Sequence, residues 1–205
     1  MDADFTIELG SDDPVLDFPW TDPSGRLVYV DLKERPDRIS EVEETKERPE
    51  LAEFLRSVNA ARSPFESAKC DLWMTTEIAP EEEIFGAAYK WASYVDIVFS
   101  DTVDRFSFQR HEEFAKRLIA LLRRAPEISS SAECCVRRCF FGADGGVQEG
   151  LYFTVYVNGY GEDEGSARKS WVIGLKLVEN AMGQLGVDEA READSCEGGR
   201  GPSTP

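Results

Sequence analysis

Apolar and polar residues alternate along four segments in the second part of the chain, which predicts four β-strands. The first two segments read KCDLWMTTEI from residue 69 and FGAAYKWASYVDIVFS from residue 85, and the acidic PEEE turn joins them. The other two read AECCVRRCFF from residue 132 and LYFTVYVNGY from residue 151, and the glycine-rich GADGGVQE joins them. The pattern therefore predicts two antiparallel hairpins.

Apolar residues spaced three and four apart predict helices around these hairpins. Pro49 suits the first turn of one helix, which ends near residue 58. Ser107 is a suitable N-cap for a second helix that runs to about Arg124, and Asp163 for a third that runs to about Leu185. Each hairpin is therefore followed by a helix.

The remaining segments have weaker patterns. Residues 1–25 are rich in Asp, Pro and Gly, which predicts an irregular acidic arm. The alternation in residues 27–32 predicts a short strand, and residues 36–48 are compatible with a polar helix. Residues 187–205 lose periodicity and gain charge, Gly and Pro, which predicts a disordered acidic tail. Residues 26–186 then form a single α+β domain.

Hairpins that are each followed by a helix favour a two-layer α+β sandwich, with a mainly antiparallel sheet and the helices on one of its faces. The element order is a strand and one or two helices, followed by two strand–strand–helix units. Over residues 49–186 this order resembles that of type III secretion chaperones, although no sequence motif accompanies it. The resemblance implies a dimeric, non-catalytic protein that holds another chain, and it assigns a role to no residue.

The net charge of −17 changes the functional picture most. A field of this sign repels phosphate backbones, so we expect no direct nucleic-acid partner. It attracts basic proteins, but acidity of this kind also simply keeps a protein soluble. The apolar runs are too short to cross a membrane, and the first residues, MDADFTIELGSDDP, do not resemble a secretory signal. We expect a cytoplasmic protein with a protein partner, possible homodimerisation and no membrane association.

Three of the five cysteines lie close together in SAECCVRRCFF. Strand alternation sends Cys134 to one face and Cys135 and Cys139 to the other, so three thiolates cannot converge on one ion. We therefore expect these cysteines to pack in the core, with no metal or other cofactor. The single histidine, His111, lies on a predicted helix without a nearby nucleophile, and the sequence assigns no catalytic residue.

Strand alternation also predicts a row of polar and aromatic side chains on the sheet face away from the helices. Such amphipathic aromatics are typical of binding surfaces. The candidate binding residues are Asp71, Trp73, Tyr94, Asp96, Arg137, Tyr152, Tyr156, Asn158 and Tyr160. Two interpretations remain open, because Phe18 and Trp20 of the arm could instead cover this face.

Asp71 and Asp96 interrupt apolar strands, where a carboxylate is costly unless it is paired. Arg137 or Arg138 is the expected partner, and such a pair is usually structural. The same carboxylates could instead form a general acid–base site.

Three functions follow from these patterns. The first is a non-enzymatic protein-binding module, chaperone-like or adaptor-like, that uses the open aromatic and polar face. The alternatives are a small enzyme with a carboxylate site around Asp71 and Asp96, and an acidic immunity-type inhibitor of a basic toxin.

Overall fold

The computed structural model describes the backbone of residues 1–80, 82, 86–143 and 146–197, and their side chains except at 143 and 188–197. Six strands and four α-helices make up its main elements. They are β1 (Asp2–Glu8), β2 (Val15–Phe18), α1 (Pro49–Val58), β3 (Phe65–Thr75), β4 (Tyr89–Phe99), α2 (Thr102–Arg105), α3 (Phe108–Leu122), β5 (Ser130–Ala143), β6 (Gly146–Gly161) and α4 (Glu164–Glu197). Two short 3-10 helices, Pro36–Glu41 and Glu43–Thr45, precede α1.

The six strands form one mixed sheet, in which five follow the order β1-β5-β6-β4-β3 and β2 pairs with β5 beside this path. Strands β3, β4, β6 and β5 pair antiparallel, as the two predicted hairpins require. Strands β1 and β2 both pair parallel with β5, one after the other along the same edge. The predicted α+β sandwich, mainly antiparallel and with helices packed on one face, is confirmed.

The main core lies between the sheet and helices α1, α3 and α4. Its strand residues include Val95 and Ile97 of β4 and Phe153 of β6, all of them buried. Helix α4 approaches β6 so closely that a Cβ on Gly159 would lie 2.0 Å from the backbone nitrogen of Trp171. Glycine is therefore required at that position for the helix to pack on the strand.

The predicted helix starts are correct, and each has a physical cause. Pro49 is the first residue of α1, where its missing N–H costs nothing. The Ser107 hydroxyl accepts a hydrogen bond from the N–H of Arg110 at 3.3 Å. At the start of α4, an Asp163 carboxylate oxygen accepts one from the N–H of Ser166 at 2.8 Å. None of the helices in the described part of the chain is long and apolar enough to cross a lipid bilayer.

The expectation of an irregular arm over residues 1–25 is wrong, because β1 and β2 lie within it. Strand β1 turns Ala3 and Phe5 towards the core, while Asp2 and Asp4 are exposed. This is the alternation of a half-buried strand, although the acidic residues in it reduce its apolar character. A second correction concerns residues 27–32, which form only an isolated bridge between Thr21 and Val28.

Two further expectations also need correction. Residues 36–48 form two short 3-10 helices instead of one polar helix. Helix α4 continues to Glu197, so the predicted disorder is wrong for residues 187–197. This segment, VDEAREADSCE, is rich in Ala, Glu and Arg, which are good helix formers. The rest of the predicted tail, residues 198–205, lies outside the described residues.

Candidate functional site

The sheet face opposite the helices, which we call the polar face, carries alternate residues of five strands. The pairing places Asp71 opposite Tyr94, Tyr94 opposite Tyr156, and Asp96 opposite Thr154. Directly paired residues of neighbouring strands point to the same side of a sheet, so these side chains are brought together. All nine candidate binding residues lie on this face: Asp71, Trp73, Tyr94, Asp96, Arg137, Tyr152, Tyr156, Asn158 and Tyr160.

Three rings cross the polar face in a line, and we call them the aromatic row: Trp73, Tyr94 and Tyr156. The ring centroids of Trp73 and Tyr94 are 6.3 Å apart, and those of Tyr94 and Tyr156 are 5.9 Å apart. The Lys69 ammonium lies 5.5 Å from the Tyr94 ring and 4.9 Å from the Trp20 ring. These contacts hold the rings in place.

A set of hydrogen-bonded side chains lies beside the aromatic row, and we call it the Arg137 network. Arg137 donates from one nitrogen to the hydroxyls of Thr154 at 2.8 Å and Tyr156 at 3.1 Å. Its Nε donates to Glu8 at 2.7 Å, which is also its ion pair. Thr154 in turn donates to the Asp96 carboxylate at 2.7 Å. The network therefore links β4, β6, β5 and β1 across the sheet.

Burial sets the charge state of this network. Asp96 is 6% exposed, and loss of hydration raises its pKa from 3.8 to about 6, although the Thr154 hydrogen bond and the charges of Lys69 and Arg137 oppose the rise. For Arg137, burial acts to lower the pKa, but the hydrogen bonds to Glu8 and Tyr156 outweigh it and raise the pKa above its ordinary value. The guanidinium therefore stays charged, whereas the raised pKa of Asp96 is about 6.

The predicted direct pairing of Asp71 and Asp96 with an arginine is wrong. Arg137 reaches Asp96 only through Thr154, and Arg138 donates instead to the backbone oxygen of Gly10 at 2.7 Å. Asp71 is exposed because β3 is an edge strand, so water solvates its carboxylate and no pairing is needed.

Two of the predicted binding tyrosines are buried. Tyr152 is 3% exposed and packs with Leu16 in a small apolar cluster on this side of the sheet. Tyr160 is 1% exposed, and its hydroxyl donates to Glu82 at 2.5 Å and lies 3.1 Å from the Ser131 hydroxyl. These two side chains therefore support the structure and offer little surface to a partner.

The N-terminal segment covers one end of the polar face, as the second interpretation required. Phe18 and Trp20 pack against the small apolar cluster there, and the Phe18 ring lies 5.7 Å from that of Phe141. Trp73, by contrast, remains 40% exposed, and Tyr94 and Tyr156 are half-buried. The half-buried Asn158 donates to Ser131 at 3.2 Å. The face is thus closed around Phe141 and open around the aromatic row.

The cysteines lie on the faces that alternation predicts. Cys134 is in the main core, and Cys139 and Cys135 are on the polar face. Burial raises the pKa of both Cys135 and Cys139 to about 12, so these thiols stay protonated and weakly nucleophilic. The described residues contain no group of three or more His, Cys, Asp or Glu side chains placed to hold a metal ion.

His111 is fully buried on the helix side of the sheet, away from the Arg137 network. Its ring lies 4.6 Å from the ring of Phe153 and 4.9 Å from that of Phe99. Burial lowers its pKa to about 4, and Nδ1 lies 2.9 Å from the backbone oxygen of Ser107. The imidazole is therefore a neutral core group.

A cleft of about 260 Å³ lies between the loop that follows Trp20 and strand β3. Its walls include the apolar side chains of Leu32 and Ala68 together with the charged Lys69 and Glu44. Desolvation raises the pKa of Glu44. The sequence did not indicate this cleft, because the loop that closes it was expected to contain a strand.

Several residues of the site were missed in the sequence. Glu8 and Thr6 lie on the polar face because β1 is a strand, and the alternation of Ala3, Phe5 and Ile7 was the available signal. Lys69 begins the alternation of β3, where its position on the same face as Asp71 was readable.

Comparisons of the chain with protein-family models, curated protein sequences and solved protein structures found no match. The likeness to type III secretion chaperones therefore remains one of element order alone.

Proposed function

We propose that this protein is a non-enzymatic binding module that captures a protein partner on the open part of its polar face. The observation that carries the proposal is the aromatic row, which runs from two half-buried tyrosines to a tryptophan that is 40% exposed. A rigid row of amphipathic rings loses little entropy on binding, and such residues supply most hot spots of protein interfaces.

The charges on this face favour a basic partner. Its cations already have internal contacts: Lys90 pairs with Glu82 at 2.5 Å, Arg137 pairs with Glu8 at 2.7 Å, and Lys69 lies over the Trp20 and Tyr94 rings. Asp71, beside the aromatic row, is exposed and has no cation within ion-pair distance among the described residues. With a net charge of −17, the chain speeds the approach of a basic protein and slows that of an acidic one.

The carboxylate-enzyme alternative has less support from this geometry. Asp96 has the pKa that a general acid or base needs, but it is 6% exposed and already accepts a hydrogen bond from Thr154. The immunity-type inhibitor is a special case of the binding proposal in which the partner is a basic toxin.

Capture of a partner by two matched variants tests the proposal. Trp73→Ala removes the exposed ring of the aromatic row, and Phe108→Ala removes a ring that is 42% exposed at the start of α3. Each immobilised protein is incubated with native lysate, captured proteins are identified by mass spectrometry, and the purified partner is then titrated by calorimetry. We expect Trp73→Ala to weaken binding at least about 30-fold, as loss of a hot spot does, while Phe108→Ala binds like the wild type.

Equal affinity of the wild type and Trp73→Ala would contradict the proposal. The salt dependence provides a second measurement. Raising NaCl from about 50 to about 500 mM should slow the association of a basic partner, because salt screens the attraction between opposite charges. A salt-independent association rate would show that the partner is not recognised by charge.

A further inference from the structure

The outer edge of β3 differs between its two halves. In the first half, side chains from elsewhere in the chain bond to the strand: the Ser67 N–H donates to Asn59 at 3.0 Å, and Lys33 donates to the Phe65 carbonyl at 3.0 Å. These contacts occupy main-chain groups that would otherwise bind a further strand. The first half of the edge is therefore closed.

The second half, residues 71–75, receives no such bond from a distant segment of the described chain, and we call it open. The Leu72 main chain points away from β4, as shown by the hydrogen bond from its N–H to the carboxylate of the neighbouring Asp71 at 2.7 Å. This local contact is the one that an added strand would replace. Met74 lies two residues further in an unbroken register and has the same orientation. Among the described residues, no other segment bonds to the main chain of Leu72 or Met74 at this edge.

The side chains around the open half differ on its two sides. On the polar face, Trp73 is 40% exposed and Asp71 is exposed beside it. On the helix side, Met74 is also 40% exposed, and Leu72 borders a gap of about 280 Å³ whose other walls are charged residues: Glu43, Glu44, Lys46, Glu47 and Arg48. An indole beside a carboxylate suits a lysine or arginine side chain, and on the other side only Leu72 and Met74 themselves offer apolar contacts.

We propose that the open half of the β3 edge, residues 71–75, accepts an extended basic segment of a protein partner as an additional strand of the sheet. The segment places lysine or arginine at alternate positions against Trp73 and Asp71, and apolar side chains against Leu72 and Met74. Main-chain hydrogen bonds supply affinity, and the alternating side chains supply specificity. This inference rests on the proposed function, since it states how and by what chemistry the partner engages the Trp73 end of the aromatic row.

Two other arrangements are less favourable. A second copy of the chain would carry the same net charge of −17, and antiparallel pairing of two edges about Met74 would bring Asp71 opposite Glu77 of the other copy, where like charges are destabilising. The opposite edge of the sheet is already partly occupied, because Arg123 donates to the Ala3 carbonyl at 2.8 Å and pairs with Asp4 at 3.3 Å.

A synthetic peptide, acetyl-KVKVKVK-amide with a fluorescent label, tests the inference by anisotropy titration. Two further probes carry N-methyl groups on either the valine or the lysine amides. Each methylated probe keeps the charge but can pair along only one of its two edges. We expect one methylated probe to lose affinity at least tenfold and the other to bind like the parent. Equal binding of all three would show attraction by charge alone and would overturn the inference.

Amide hydrogen exchange locates the added strand. The parent peptide should slow exchange at Met74, and Phe5 and Ile7 of β1 should be unaffected. Slowed exchange at Phe5 and Ile7 with none at Met74 would place the peptide on the wrong edge and overturn the inference. The proposed function would survive that result if Trp73→Ala still weakened binding of the cellular partner, so the two failures can be told apart.

Variants of the protein provide an independent test. Met74→Pro removes an outward N–H, which an edge strand tolerates, and should reduce peptide affinity at least tenfold. Asp71→Lys should also reduce it, whereas Glu127→Lys makes the same charge change at an exposed site away from the edge. Equal losses in the two lysine variants would overturn the inference, as would a peptide-independent dimer in ultracentrifugation.

Discussion

The two faces of the sheet are stabilised by different interactions. The helix side is closed by apolar and aromatic side chains, with Phe153 in contact with Phe99 and Phe114 at centroid distances of 5.3 and 5.0 Å. The polar face is held together by hydrogen bonds around Arg137 and by rings that end at an exposed Trp73. The tightly packed apolar core is therefore on one face, and the exposed end of the aromatic row is on the other.

The largest loss of stability should come from a substitution that leaves a cavity on the helix side of the sheet. Phe153→Ala removes a fully buried ring from the centre of the core and should lower the free energy of unfolding by about 3–5 kcal/mol. Urea denaturation followed by circular dichroism measures the loss. A change below 1 kcal/mol would mean that this face is not the main source of stability.

Breaking the Arg137 network should have the next largest effect. Arg137→Met keeps the unbranched stem of the side chain but removes the guanidinium and leaves Glu8 and Thr154 without their donor, which should cost about 2–3 kcal/mol. A double-mutant cycle with Glu8→Gln separates the ion pair from the rest of the network. Strict additivity in that cycle would contradict a direct coupling between the two residues.

The two faces should also respond to pH in opposite directions. The pKa of His111 is lowered from 6.5 to about 4 in the folded protein, so its contribution to stability is present above pH 6.5 and is lost as the pH falls to 4. The pKa of Asp96 is raised from 3.8 to about 6, so protonation favours the fold and stability is gained as the pH falls from 6 to 4. At about 1.36 kcal/mol per pKa unit, each effect is about 3 kcal/mol at most.

Asp96→Asn tests this opposition. The variant lacks the compensating carboxyl, so its free energy of unfolding should fall more steeply than that of the wild type between pH 6 and pH 4. His111→Phe should fall less steeply over the same range. Curves that run parallel to the wild type would show that neither group carries the pH dependence.

The smallest effect on stability belongs to the exposed end of the aromatic row. Trp73→Ala should change the free energy of unfolding by less than about 0.5 kcal/mol, as substitutions at exposed positions usually do. Thermal denaturation of Trp73→Ala, with Phe108→Ala as the control, measures the change. A large loss would show that Trp73 serves the fold and would undermine its role as a binding residue.

Side-chain alternation was enough to predict which face each strand residue occupies. Trp73, Tyr94 and Tyr156 were assigned to one face from period-two spacing, and they lie there. Alternation does not give the register between strands or the depth of burial. Tyr152 and Tyr160 therefore looked equivalent to Tyr156, although packing against Leu16 and Glu82 closes them off.

Partners that are distant in the sequence could not be predicted. Arg137 was expected to pair with Asp71 or Asp96, the acids of neighbouring predicted strands. Its partner is Glu8, which reaches it only because β1 pairs with β5. The acidic residues of β1 hid its identity as a strand and therefore this pairing. They are tolerated there because water solvates the open side of an edge strand.

The parallel docking of β1 on β5 also sets an order of assembly. Thr6 and Cys135 are neighbours in the sheet yet lie 129 residues apart in the chain. Contacts of such long range form late, because closing the loop between them costs entropy before the contact stabilises the fold. During synthesis, the first strand leaves the ribosome long before the strand that receives it, and Ala3 and Phe5 stay unshielded until the final hairpin is complete.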